Sequence, residues 1–351
     1  MTTRRWLPLC AIVGFIACGA GVALDAHAML GCWLAAWFAV ASIPIGALGV
    51  LFTSYLVRGG WTQDLHAPLM RAALMLPVAG LLFIPALIGM KALYPWAAAD
   101  AALPWFKTAY LAPWFFVLRT ILYFAIWTAL ALWAQRAFED PDARVRAAAV
   151  GLIVWSLTVS FAGIDWLESI EPDFHSSIYG LLAISFTLLS GLAFGMLVVL
   201  QRAPRQMANT AYAGVLLSVL LLWAYLHAMQ YIIIWTGNIP DEVVWYAERS
   251  AGGWAVALWV LFGAQFIIPF FALLSERVRA STLALIWIAG VTLALRFLEA
   301  AVLVLPPLKV GWALALCLPA AILATGATLL LAWRTSERWR ERLPFALSAS
   351  R

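Results

Sequence analysis

The chain has 351 residues, of which 65% are hydrophobic and only 11% charged, and its mean hydropathy is +0.94. That is more apolar surface than a soluble protein of this length needs, so the chain reads as an all-α, polytopic integral membrane protein whose first partner is the lipid bilayer. A net charge of +5 would suit an anionic partner, but membrane orientation explains it better, and nothing supports nucleic-acid binding.

A spanning helix needs roughly 20 apolar residues. That ruler gives about ten transmembrane helices, near 6–24, 31–57, 69–93, 112–135, 145–167, 177–200, 211–235, 252–274, 281–305 and 311–333. The connections are short, so a single membrane domain over 1–351 is expected. Arg4-Arg5, the apolar run after them and Ala26-His27-Ala28 resemble a signal peptide with its cleavage site; the competing reading is a retained first helix. Proline interrupts several spans, at Pro44, Pro77, Pro85, Pro269 and Pro319, and is expected to kink them. Gly191 and Gly195, four apart, let helices approach closely, either within this chain or between two copies. Trp61, Trp96, Trp105, Trp114, Trp245 and Trp254 flank apolar runs and suit the belts at the lipid–water boundary.

Orientation follows from the basic residues. With the N-terminus counted as inside, the inner connections hold sixteen: Arg4, Arg5, Arg58, Arg71, Arg136, Arg144, Arg146, Arg202, Arg205, Arg277, Arg279, Arg334, Arg338, Arg340, Arg342 and Arg351. The outer connections hold four, Lys91, Lys107, Arg249 and Lys309, and the last two of the 22 lie inside spans. The bias predicts both termini on the cytoplasmic side of a bacterial inner membrane. The connection from Asp165 to Gly180, DWLESIEPDFHSSIYG, then faces outward, as does the acidic stretch Ile239 to Arg249.

The polar groups inside the spans are few. Arg119 lies in the fourth, Asp165 and Glu168 end the fifth, His227 and Gln230 share a face of the seventh, Arg296 and Glu299 share a face of the ninth, and Asp25 ends the first. All fall in the outer half of the bilayer, at about 1.5 Å of rise per residue. The inner half carries hydroxyls such as Thr158, Ser185 and Thr187 but no carboxylate at depth. Ionisable groups in a membrane are functional candidates by default. Arg296 with Glu299 reads either as a structural ion pair or as a proton-relay or quinone-contacting pair. His227 reads as an interhelical hydrogen bond or as a group exchanging protons near neutral pH. Asp165 and Glu168 read as a helix end in water or as a proton exit, with Arg119 paired to one of the carboxylates. We expect Asp165, Glu168, Glu299 and His227 to line one polar cavity.

No catalytic residue and no metal ligand set is expected. Cys10, Cys18, Cys32 and Cys317 show no CxxC or CxxCH spacing, which argues against a metal cage, a haem attachment and a disulfide framework. Of His27, His66, His175 and His227, only His227 falls inside a predicted span, leaving no pair to ligate a haem between two helices.

Two blocks carry a resemblance. Asp165-Trp166, then Glu171-Pro172 and Ser176-Ser177-Ile178-Tyr179-Gly180, is similar to the DW…SxDPHWFST…G signature of the ActF subunits of alternative complex III. Gln230-Tyr231-Ile232-Ile233-Ile234-Trp235, then Asn238-Ile239-Pro240-Asp241-Glu242 and Arg249, resembles their QxxLIWxxNxPEE…R run. Weaker likeness covers Gly60-Trp61, Pro113-Trp114-Phe115 with Arg119, and Arg296 to Pro306. The resemblance implies an NrfD-like membrane fold, two four-helix bundles plus peripheral helices. It implies a quinol:cytochrome c (or oxidase) oxidoreductase in which this subunit holds no metal. Haem c and iron–sulfur clusters would sit in partner subunits, beside a homologous ActC-like subunit. A quinone or menaquinone would be the only small-molecule partner, and Trp166, Pro172, Asn238, Pro240, Glu242 and Arg249 would be structural motif residues.

The chain departs from that pattern in places. Arg296-Phe297 and Glu299 stand where a His-Tyr-xx-Asp is expected, so the carboxylate is kept and a group able to shuttle protons near neutral pH is not. Glu171 replaces the aspartate before proline, and Asp173 takes the histidine position of DPHW. The alternatives are an NrfD-like anchor of a polysulfide or molybdenum-enzyme system, a secondary transporter, and a purely structural role. The outer bias of the charges argues against the transporter, whose sites lie near the midplane.

Overall fold

The computed structural model describes residues 3–57, 59, 61–98, 105–202 and 206–342; Arg58, Gly60, Arg205 and Arg351, used above, lie outside them. Among the described residues ten helices are long and apolar enough to cross a membrane, and the protein is an all-α polytopic membrane protein. We label them α1 (Trp6–Leu24), α2 (Ala26–Leu56), α3 (Thr62–Ile88), α4 (Pro113–Arg136), α5 (Pro141–Ile170), α6 (Tyr179–Arg202), α7 (Asn209–Gly237), α8 (Gly252–Leu274), α9 (Thr282–Val304) and α10 (Gly311–Ser336). Most ends fall within a few residues of the apolar runs. The third helix starts seven residues before the run at 69, because Thr62, Gln63, Asp64 and His66 form an amphipathic first turn and a half that buries Leu65. It also bends at Leu74-Met75 and Leu82-Phe83, just before Pro77 and Pro85.

Helix α2 organises the rest. Of its most apolar 18-residue window 94% is buried, against 17% for α1, so α2 is a core helix and α1 a peripheral one. Helices α2–α5 pack around one ring, each on the next and α5 back on α2, and α6–α9 form a second ring of the same kind. The helices α1 and α10 pair with each other and lean on α2 outside both bundles.

The bundles meet where α2 crosses α6. A Cβ on Gly46 would fall 1.6 Å from the carbonyl oxygen of Thr187, and one on Gly191 would fall 2.3 Å from the backbone nitrogen of Ala47. Only glycine permits that approach. Gly195 faces Leu65 and Leu69 of α3, so both glycines of the small-residue pattern are used inside this chain.

Two local features position the site. Helix α8 contains a π-helical stretch, Leu261–Ile267, in which the Ile268 N–H bonds to the Gly263 carbonyl five residues back. Pro269 explains it: the ring has no N–H and crowds the carbonyl four residues back, that of Gln265, so the turn widens. The second is Asn238, left-handed at φ 46°, which ends α7 and lets Pro240 open a surface helix, Pro240–Arg249.

Three tryptophans expected at the lipid boundary are buried instead: Trp61, Trp96 and Trp245. Each has a partner inside that outweighs the interface. Trp96 donates to the Ser169 hydroxyl, Trp245 stacks on Phe174, and Trp61 belongs to the apolar core. Trp114 is 70% exposed, as a belt residue should be, and Trp105's side chain lies outside the described positions.

Candidate functional site

The buried charges fall into three groups, all toward the end of the bundle that carries the acidic connections. The first joins α4 to α5. Arg119 grips Asp165 with two parallel bonds, Nε to Oδ2 at 2.8 Å and Nη2 to Oδ1 at 2.9 Å. Tyr123 donates to the same Oδ2 at 2.7 Å. The remaining Arg119 donor, Nη1, reaches the Tyr110 carbonyl at 2.7 Å, and the guanidinium lies over the rings of Tyr110 and Phe115. Asp165 is wholly buried. Planar, bidentate and fully answered, this pair has the geometry that lets two charges leave water together. Trp166 beside it is buried and donates to Thr120.

The second group clamps the outer connections. Arg249, wholly buried, donates from Nη2 to Glu171 at 2.7 Å and to the Leu303 carbonyl at 2.9 Å, from Nε to the Val302 carbonyl at 3.0 Å, and from Nη1 to the Trp245 carbonyl at 2.9 Å. It therefore ties the 168–178 connection and the surface helix to the end of α9. Burial pushes the Glu171 carboxyl above the ordinary glutamate range, and Arg249 pulls the other way without cancelling that. Glu168 accepts from the Ser176 amide through Oε1 at 2.8 Å, while its Oε2 is buried with no partner. Pro172 is held by Lys107, whose ammonium donates to its carbonyl at 2.6 Å. Glu242 lies in the first turn of the surface helix, where a carboxylate suits the helix dipole.

The third group lies between α7, α8 and α9 and is built differently. Glu299 accepts from the Trp223 indole at 2.9 Å and stands 3.5 Å from His227 Nε2, both through Oε1. Its Oε2 lies 2.6 Å from Arg296 Nη1, without the alignment of a hydrogen bond. All three guanidinium nitrogens of Arg296 and Oε2 of Glu299 are buried with no hydrogen-bond partner. The Arg296 cation lies over Phe186 at 4.9 Å and Trp223 at 5.7 Å. Two glutamines extend the group. Gln230 is buried with both amide atoms unanswered, and Gln265, at the π turn, makes one long bond of 3.4 Å to Thr292 and leaves its Oε1 unanswered. His227 Nδ1 donates to the Trp223 carbonyl at 2.9 Å, and the ring is 32% exposed at the bundle surface.

These polar groups run along α9 from Glu299 inward to Thr292, which at about 1.5 Å per residue is about 15 Å from Thr282 and about 18 Å from Val304. Below that level the buried hydroxyls are closed off. Ser42, Ser185, Thr187, Ser190 and Thr325 each donate to a carbonyl of their own helix.

The four residues expected to line one cavity are thus divided. His227 and Glu299 come together, Asp165 belongs to Arg119 and Tyr123, and Glu168 belongs to Ser176; among the described residues no hydrogen bond or ion pair joins the three sets. The buried Tyr179 lies within electrostatic range of both Glu168 and Glu299. Arg119 does pair with a carboxylate, and Arg296 does meet Glu299. Asp25 caps α2 through the Ala28 amide instead of entering a site. Trp223, Gln265 and Thr292 escaped sequence reasoning: a tryptophan among twenty, and a glutamine and a threonine in apolar helices, carry no signal of their own. Among the described residues no three His, Cys, Asp or Glu side chains gather where they could hold a metal ion.

Comparison with known protein families finds no family model that matches this chain. Comparison with curated proteins likewise finds no match.

Proposed function

We propose that this chain is the ActF-like membrane subunit of a quinol-oxidising complex, NrfD-like in kind, contributing scaffold and proton transfer or quinol contact at the periplasmic side of a bacterial inner membrane. Both termini are then cytoplasmic, as the sixteen-to-four distribution of basic residues supports. The observation that carries the reading is the polar group around Glu299. A purely structural ion pair would have its donors and acceptors answered, and this one leaves those of Arg296, Glu299, Gln230 and Gln265 open while His227 reaches the bundle surface.

The roles follow from the tautomer. Since His227 Nδ1 donates to a carbonyl, Nε2 is the nitrogen free to take and release a proton, and it faces Glu299. A quinol supplies two electrons and two protons when bound. The donor set fits its headgroup at one place: His227 is the part-exposed group that would meet a hydroxyl, with Glu299 behind it to pass the proton on. The cation of Arg296 holds the Glu299 carboxylate charged between transfers. The electrons belong to iron–sulfur and haem c groups of partner subunits, with an ActC-like subunit beside this one.

The test is purification of the intact complex from its native membrane, followed by Glu299→Gln and His227→Asn in that complex. Haem c and iron–sulfur proteins should come with the chain, and each substitution should lower quinol oxidation and proton release at least about tenfold, the loss of one general acid–base group. A chain that purifies alone and carries a solute across lipid would end the proposal. Partners bearing molybdenum or polysulfide reductase chemistry would move it to the neighbouring NrfD-like systems.

A further inference from the structure

At the arginine-rich end of the first bundle a cavity of about 540 Å³ opens between the end of α2, the start of α3 and the turn joining α4 to α5. Its floor is aromatic. His66 stacks on Phe138 with centroids 3.6 Å apart and planes within 13°, and the Tyr55 hydroxyl bonds His66 Nδ1 at 3.1 Å. Over that floor stands Arg144, its guanidinium carbon 5.8 Å from the Tyr55 ring and 5.7 Å from the Phe138 ring. Among the described residues the guanidinium makes no hydrogen bond and no ion pair, so five N–H donors face the cavity from a half-buried position. The amides at the start of α5 do not compete for an anion, because the Asp140 side chain already accepts from Asp142 and Ala143.

We propose that this cavity binds the headgroup of a phosphoethanolamine phospholipid. The phosphate sits on Arg144, with the exposed amide of Gln63 as a further donor. A guanidinium matches phosphate oxygens in pairs and stays charged in the low dielectric of a membrane boundary. Asp142 lies on the same wall; its carboxylate disfavours a bare phosphate and complements an ammonium, which selects a zwitterionic headgroup over an anionic one. Val57 and Val145, each 48% exposed at the rim, meet the first apolar carbons of the lipid. A cavity of this size suits one headgroup, and basic pockets between helix ends are where lipid headgroups lodge. The site is separate from the Glu299 group and does not depend on the role proposed for it.

The test is native mass spectrometry of the full chain released from detergent with dioleoylphosphatidylethanolamine, dioleoylphosphatidylglycerol or inorganic phosphate. Wild type should hold one ethanolamine lipid in preference to the glycerol lipid, and inorganic phosphate should not displace it. Arg144→Gln should weaken that binding about tenfold, and Asp142→Asn should erase the preference between the two lipids. Thermal unfolding without lipid serves as the folding control. Undiminished retention by Arg144→Gln, a wild-type preference for the glycerol lipid, or displacement by free phosphate would overturn the proposal. If Arg144→Gln does not fold, the Asp142→Asn preference decides alone.

Discussion

Two buried ion pairs lie toward the same end of this protein, and they are built on opposite plans. Arg119 and Asp165 have their donors and acceptors engaged, down to a tyrosine hydroxyl on the second lobe of the carboxylate. Arg296 and Glu299 touch at 2.6 Å yet leave four buried polar atoms unanswered, with two unsatisfied glutamines on the neighbouring helices. Burying charge is costly in both places, and only the first recovers the cost through its own contacts. The lesson is that a charge inside a membrane protein is not by itself a functional group. What distinguishes a fastener from a working site is whether the surrounding chain has finished satisfying it.

That contrast is breakable. The largest effect is expected from Asp165→Ala, which strands the Arg119 cation in the bundle and should cost about 3–5 kcal/mol, read as a lowered unfolding midpoint in detergent. Replacing both partners, Arg119→Met with Asp165→Leu, removes the stranded charge but orphans the Tyr123 hydroxyl and the Tyr110 carbonyl. A residual cost of about 1–3 kcal/mol should remain. The matching double substitution Arg296→Met with Glu299→Leu should leave stability within about 1 kcal/mol of wild type, or raise it, because fewer bonds are lost with the charges. Equal losses from the two double substitutions would erase the distinction drawn here.

The smallest effect sharpens the comparison from outside both pairs. Burial raises the Glu171 carboxyl in the folded chain despite Arg249, so between the ordinary glutamate value and the raised one the folded state holds more protons than the unfolded. Stability from this group therefore falls as pH rises through that window. Glu171→Gln should flatten the fall, a difference to be followed by unfolding midpoints across mildly acidic to neutral pH.

Much of this was legible in the residues. Helix number, the two-bundle packing and the pairing of Arg119 followed from apolar run lengths, a family likeness and the scarcity of carboxylates at its depth. Depth, however, is all that a run length supplies. It placed Asp165, Glu168, His227 and Glu299 at similar levels but gave no azimuth around the bundle, and so they were expected together when the helix faces divide them. The π turn had one visible cause, Pro269, but nothing in the sequence says that the widened turn would hold Gln265 in the interior. The buried Trp61, Trp96 and Trp245 show the same limit: a tryptophan beside an apolar run suits lipid or core alike, and its hydrogen-bond or stacking partner decides.

The crossing of Gly46 and Gly191 has a mechanical consequence. Main chain presses on main chain there, with no side-chain cushion to repack, so one half of the molecule has no slack in which to rock against the other. Motion during turnover must be borne by the outer rim, α7 and α8 with their widened turn, and the seam at the centre acts as the fixed frame against which they move.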